Sequence, residues 1–125
     1  MQSLGPLSKV PKGYGGYQFK WSPAEKQIAR KAFELALHRE FAVLIDEVKA
    51  SVSRIQAPHE LWDLEHHLTS RRKRIDSTYD YRYSVLPTVL AVLIKQGRLD
   101  EHELKGLADD KIDEIHRRLS KPGPR

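Results

Sequence analysis

After Pro23, no glycine or proline interrupts the chain until Pro58, and this uninterrupted run constrains the fold more than any other feature. Ser22 is a favoured helix N-cap, Pro23 occupies the first helical position where its missing N–H costs nothing, and Glu25 completes a capping box. Trp21 stands just ahead of the cap, placed to staple onto the first turn. Phe33, Leu37, Phe41, Leu44, Val48, Val52 and Ile55 then recur at spacings of three and four, and Ile28, Ala32, Leu35, Ala36 and Ile45 widen the stripe. The pattern predicts one amphipathic helix over residues 22–56, roughly 52 Å long. A globule of this mass is only about 35 Å across. Such a helix either protrudes or has its surplus apolar stripe covered by a second chain. An antiparallel homodimer is the economical arrangement, because two-fold symmetry lets one patch satisfy itself.

Pro58 in "QAPHELW" opens a second helix, with Leu61, Leu64, Leu68 and Ile75 as its core-facing stripe and Tyr79 extending it. This helix is expected to end or bend within "DSTYDYRYS", where Ser, Thr and Asp compete for their own backbone. "VLPTVLAVLIKQG" predicts a short buried third helix. Pro87 is tolerated only in a first turn, so the start falls between Ser84 and Leu86, and Gly97 closes the helix as its C′ residue. Asp100 and Glu103 repeat the capping-box logic for a fourth helix, with Leu104, Leu107, Ala108, Ile112, Ile115 and Leu119 on its buried face. Acids crowd its start and Arg117 and Arg118 its end, as the helix dipole favours. No segment reads as a strand. The expected fold is all-α: a long first helix packed with a second as a stalk, two shorter helices as a head, in a homodimer. Residues 21–119 form a single helical domain. Residues 1–20, with four glycines and two prolines, are expected to be a flexible leader and residues 120–125 a flexible tail.

Charge narrows the function classes. The net charge is +5, but Lys9, Lys12, Lys20, Lys121 and Arg125 account for all of it, which leaves the helical middle formally neutral. A nucleic-acid-binding domain usually keeps its excess charge on a folded face, so nucleic acid is not the expected partner. The chain has no cysteine, which excludes disulfides and thiol chemistry and suits a reducing compartment. No apolar run approaches the ~18 residues of a membrane span, and the N-terminus lacks the regions of a signal peptide. A soluble cytoplasmic protein is expected.

The stretch "LWDLEHHLTSRRKR", residues 61–74, carries the candidate site. On a helical wheel Trp62 falls about 120° from the centre of the Leu61/Leu64/Leu68/Ile75 stripe. Glu65, His66, Thr69, Lys73 and Asp76 lie near it on this second face, with Arg72 on the border. An indole packed under the first helix is the plain alternative. Trp and Arg are the types over-represented as binding hot spots, and an indole among charges fits a contact surface better than a core. The candidate partner or dimer interface is therefore Leu61, Trp62, Glu65, His66, Thr69, Arg72 and Asp76. His59, Asp63 and His66 or His67 could converge on one helix face, but no HExxH motif or second convergent pair accompanies them, so no metal is expected. The four basic residues of "RRKR" fan out by 100° steps, which favours solvated helix charges over a phosphate-binding patch. A helix–turn–helix around "KQGRLDEHE" is disfavoured because its second helix would open with Asp100, Glu101 and Glu103. There is no glycine-rich phosphate loop and no recognisable nucleophile, so a binding module is expected rather than an enzyme, with no cofactor.

The combination of "WSPAEKQ", "ELWDLEHHLTSRRKRIDSTYDYRYSV" and "QGRLDEHELKGLADDKIDEI" over about residues 21–119 resembles the cyanobacterial fluorescence recovery protein family. The most specific parts are the "LW" pair with Arg72 ten residues on, then "ID", "YD.R.SV", "HEL" and "LADDK". The resemblance implies an all-helical homodimer with a long first helix and a smaller helical head. It implies a regulatory, non-catalytic role: binding photoactivated orange carotenoid protein, speeding its return to the resting form, and releasing it from the phycobilisome antenna. It also implies that Trp62 and Arg72 belong to an important patch near the dimer interface. The chain departs from the family's pattern at Glu65 and His66, where His then Asp are typical. It departs again near Thr88, where an aromatic is typical, and at Glu114, where a basic residue is typical.

Overall fold

The structure, a computed structural model, describes residues 19–120; the expected leader up to residue 18 and the tail from residue 121 lie outside the described residues. The first helix, α1, spans Pro23–Arg54, 32 residues or about 48 Å. Its capping box forms as expected: Glu25 N–H donates to Ser22 Oγ at 3.1 Å and Ser22 N–H donates to Glu25 Oε1 at 3.0 Å. Ile55 ends the helix with extended backbone, and Ala57, held extended by the following proline, prevents its resumption in register. The second helix, α2, spans Pro58–Thr78 and turns back along α1. The pairings Glu47 with Arg71, Glu40 with Arg71 and Ala36 with Tyr79 make the two antiparallel.

Between α2 and the third helix, α3 (Leu86–Lys95), the chain leaves helical geometry and lays Tyr79 and Tyr81 edge-on against Phe33 of α1, at 5.5 and 4.8 Å between ring centroids. Aromatic packing on α1 thus ends α2, alongside the local competition of Ser77 and Thr78. Pro87 sits in the first turn of α3, and Gly97 follows its C-cap with φ of 78°, a conformation costly for any residue with a Cβ. Gly97 N–H donates to the Ile94 carbonyl and Arg98 N–H to that of Leu93, forming a Schellman motif.

The expected continuous fourth helix does not form. Of the expected capping box only the Glu103 half forms, its Oε1 accepting from the Asp100 N–H at 2.9 Å, and it opens only a single 3₁₀ turn, Glu101–Leu104. Gly106, at φ of 106°, then reverses the chain, and a new helix, α4, spans Asp109–Leu119. Ala108, expected on the buried face, is instead the exposed N-cap of α4. The break lies against α1: a Cβ added at Gly106 would come within 2.6 Å of Ile28 Cδ1. It lets Leu104 and Leu107 both reach the core, where they meet Ala29, Ala32, Phe33 and Ala36 of α1, Leu86, Leu90 and Leu93 of α3, and Ile115 of α4. The small residues of α1 leave room there for the larger side chains of the head.

A buried ion pair closes the N-terminal end. Lys111, only 2% exposed, donates to Glu25 Oε1 at 3.2 Å and to the Lys20 carbonyl, and forms an ion pair with Asp110 Oδ1 at 3.1 Å. Trp21, expected to staple onto the first turn of α1, packs against Tyr83 at 5.5 Å, with the Lys111 ammonium 5.2 Å from its ring centroid. Burial resists ionisation of Glu25, yet hydrogen bonds from the Ser22 and Ala108 N–H groups and from Lys111 outweigh it and hold the carboxyl at a pKa of about 2. Glu103 is held at about 2 by its bidentate pair with Arg39, at 2.9 and 2.8 Å, and by the Asp100 N–H. Both pKa values lie below the ordinary 4.5. The stability they contribute is therefore complete above about pH 4.5 and is lost as pH falls towards 2. The thermal midpoint should stay level above that window and fall within it, and Glu25→Gln should shallow the fall. A midpoint unchanged down to pH 3 would contradict this account.

Candidate functional site

The stalk leaves much of its apolar surface uncovered. Arg71 and Ile75 are the buried residues of α2. Leu61 and Leu68, expected to face the core, are instead 51% and 37% exposed. From α1, Phe41, Ile45 and Val52 are exposed beside them. Between the two helices runs a groove of about 280 Å³ lined by Phe41, Leu44, Leu68, Thr69, Arg72, Ile75 and Asp76. It joins the exposed faces of α1 and α2 into one surface.

Of the seven residues singled out in the sequence, the groove brings together Thr69, Arg72 and Asp76. Trp62, 67% exposed, and Glu65 continue the same flank of α2 towards its N-terminus, since 62, 65, 69, 72 and 76 fall within about 80° on a helix. Leu61 is exposed at the border of that flank and the apolar stripe, and His66 is exposed on the far side of Trp62. Trp62 does not pack under α1. Among the described residues, no group of three or more His, Cys, Asp and Glu could hold a metal ion. None of the described helices is long and apolar enough to cross a membrane. The surface presents an aromatic ring, an apolar groove and flanking charges, a set suited to recognition.

What positions this surface is a polar knot that the sequence reading missed. Glu40, 7% exposed in the middle of the apolar stripe of α1, accepts from Arg98 Nε at 3.0 Å, from the Tyr79 hydroxyl at 3.1 Å and from Arg71 at 3.3 Å. Arg71, also 7% exposed, reaches Glu47 as well. Burial opposes ionisation of Glu40, but Arg98, Tyr79 and Arg71 together hold its carboxyl below the usual range. Burial, and then the neighbouring Glu40 charge, push the Tyr79 hydroxyl well above its ordinary value, so it stays a donor. The available signal was a carboxylate one turn beyond Ala36 on a buried stripe, which demands partners. Acids of α1 partner Arg71, which is therefore not the solvated helix charge expected of the basic run, and Asp80 pairs with Arg82.

A closed helical head on an open antiparallel stalk, with a ring and a groove exposed on the stalk's flank, defines an all-helical binding protein. A sequence model of the photoprotection regulator fluorescence recovery protein family matches residues 21–118, and the chain belongs to that family. The chain is 41% identical over 95 residues to the fluorescence recovery protein of Synechocystis, covering 76% of this chain and 87% of that protein. The solved structure of the Fremyella diplosiphon fluorescence recovery protein superposes with a TM-score of 0.75 at 42% identity, over 79% of this chain and 97% of that one. The Synechocystis structure gives 0.75 at 40% identity, over 78% and 96%. These likenesses make the chain a member of a family of photoprotection regulators.

Glu40→Gln removes the charge that two buried or half-buried guanidinium groups share. Breaking a buried pair from one side costs about 3 kcal/mol, so urea denaturation should show a loss of that order. A loss below about 0.5 kcal/mol, the level of ordinary surface substitutions, would mean the knot contributes little.

Proposed function

We propose that this chain is a non-catalytic cytoplasmic regulator that works as a homodimer on photoactivated orange carotenoid protein, or on a related carotenoid-binding domain. It speeds the return of its client to the resting form and promotes release from the phycobilisome. A protein that does this binds the resting-like arrangement, or the transition state leading to it, better than the active one. The observation that carries the reading is the exposed flank of Trp62 and Arg72 in a chain of this family. Exposed Phe41, Ile45, Val52, Leu61 and Leu68 support the dimer, because an apolar surface continuous across two helices is stabilised by a second copy. Leu61, Trp62, Glu65, His66, Thr69, Arg72 and Asp76 are assigned to the dimer or client interface.

One observation favours a second reading, a different client. Glu114, where the family typically carries a basic residue, is held by Arg117 at 2.7 Å and by Arg118 at 2.8 Å. The acid thus draws the charges of neighbouring arginines onto itself, and the head presents a different electrostatic face.

Light scattering at micromolar concentration should give a two-chain mass that Trp62→Ala or Arg72→Glu lowers. Added to a photoactivated orange carotenoid protein, the chain should accelerate red-to-orange relaxation. The absence of both acceleration and co-elution with that protein would reject the first reading in favour of the second.

A further inference from the structure

On the face of the stalk where α2 meets the head, a second cavity of about 320 Å³ opens. Three arginines line it: Arg71 and Arg74 from α2 and Arg98 from the loop after α3. The acids there are Glu40 and Glu47, which leaves the lining with one formal positive charge in excess. The acceptors are already committed. Glu40 serves Arg98, Tyr79 and Arg71, and Glu47 serves Arg71. Two donors are left over. Arg71 Nε is buried without an acceptor, although the residue is more than nine-tenths buried, and the exposed Arg74 guanidinium has no acid partner among the described residues. A buried N–H without an acceptor costs free energy that a bound acceptor recovers. Arg74 and Thr78, three and seven residues after Arg71, fall on the same side of α2, so Thr78 lines the cavity beside the arginines.

We propose that this cavity is a binding site for a small phosphate-class oxyanion, held between Arg74 and Arg98 with Arg71 and Thr78 behind it. Guanidinium groups match such an anion because each can present two parallel N–H donors to two of its oxygens. An occupant would bridge α2 to the loop that Glu40 already ties to α1, and so tighten the head on the stalk. The site shares Ile75 with the groove of Thr69, Arg72 and Asp76 but none of its charged lining, and it stands whether or not the client assignment above is right.

The test is a titration of the full chain with inorganic phosphate at constant ionic strength, chloride making up the difference and acetate serving as the carboxylate control. With arginine labelled in ¹⁵N, the Nε–Hε resonances of Arg71, Arg74 and Arg98 should shift with saturation, and the thermal midpoint should rise by a few degrees. Arg74→Gln alters an exposed side chain that the fold does not use, and it should flatten both responses while leaving the phosphate-free midpoint in place. A saturable response that survives Arg74→Gln would overturn the proposal. So would a response that chloride or acetate reproduces at equal ionic strength, since charge screening alone gives that result.

Discussion

Glu40 is the residue on which the arrangement of the molecule depends. Its carboxylate lies within the buried stripe of a 32-residue helix, where an uncompensated charge would be prohibitive. It is compensated by donors from two other places in the chain: Tyr79 and Arg71 at the C-terminal end of α2, and Arg98 in the loop after α3. Apolar packing between the alanines of α1 and the leucines of the head is favourable over a range of small displacements. Directional bonds to one carboxylate are not, and they select a single docking of head on stalk. Arg39 with Glu103 and Lys111 with Glu25 repeat the device along α1, so that three ion pairs hold the head against one helix.

The two halves of the molecule are stabilised differently. The head has a closed core of leucines, valines and alanines around Phe33 and Ile115. The stalk has two buried residues on α2 and a row of exposed apolar side chains on both helices. Fully burying one such side chain is worth about 1.5–3 kcal/mol, so a second surface laid against the stalk gains much. The same flank carries Trp62 and Arg72, and in the proposed reading a second copy and a client both draw on it. Exchange between the two would then be set by how much of this apolar surface each covers.

The basic run Arg71–Arg74 shows how little a string of like charges says about a patch. A helix distributes four consecutive side chains around its circumference, and each meets different surroundings. Arg71 is buried against the acids of α1, Arg72 borders the groove, Lys73 points to solvent and Arg74 lines the cavity beside Arg98. One run of the sequence thus serves internal cohesion and two separate surfaces.

The helix starts and stops with local causes were legible in the sequence. Ser22, Pro23 and Glu25 set the start of α1, Pro58 that of α2, and Gly97 closed α3, because each acts through backbone conformation and hydrogen bonds within a few residues. The placement of Trp62 on a flank of its own also followed from helical geometry alone. The pairing of Asp100 with Glu103 was read correctly as a helix start, but the length of what followed was not. Gly106 turns against Ile28, on a helix far away in the chain, and no local pattern reveals that contact. Tertiary structure likewise decided that Leu61 and Leu68 stay exposed and that Glu40 meets Arg98, 58 residues on. Backbone preferences are written into neighbouring residues, whereas the partner of a buried charge or an apolar face is set only when distant segments pack together.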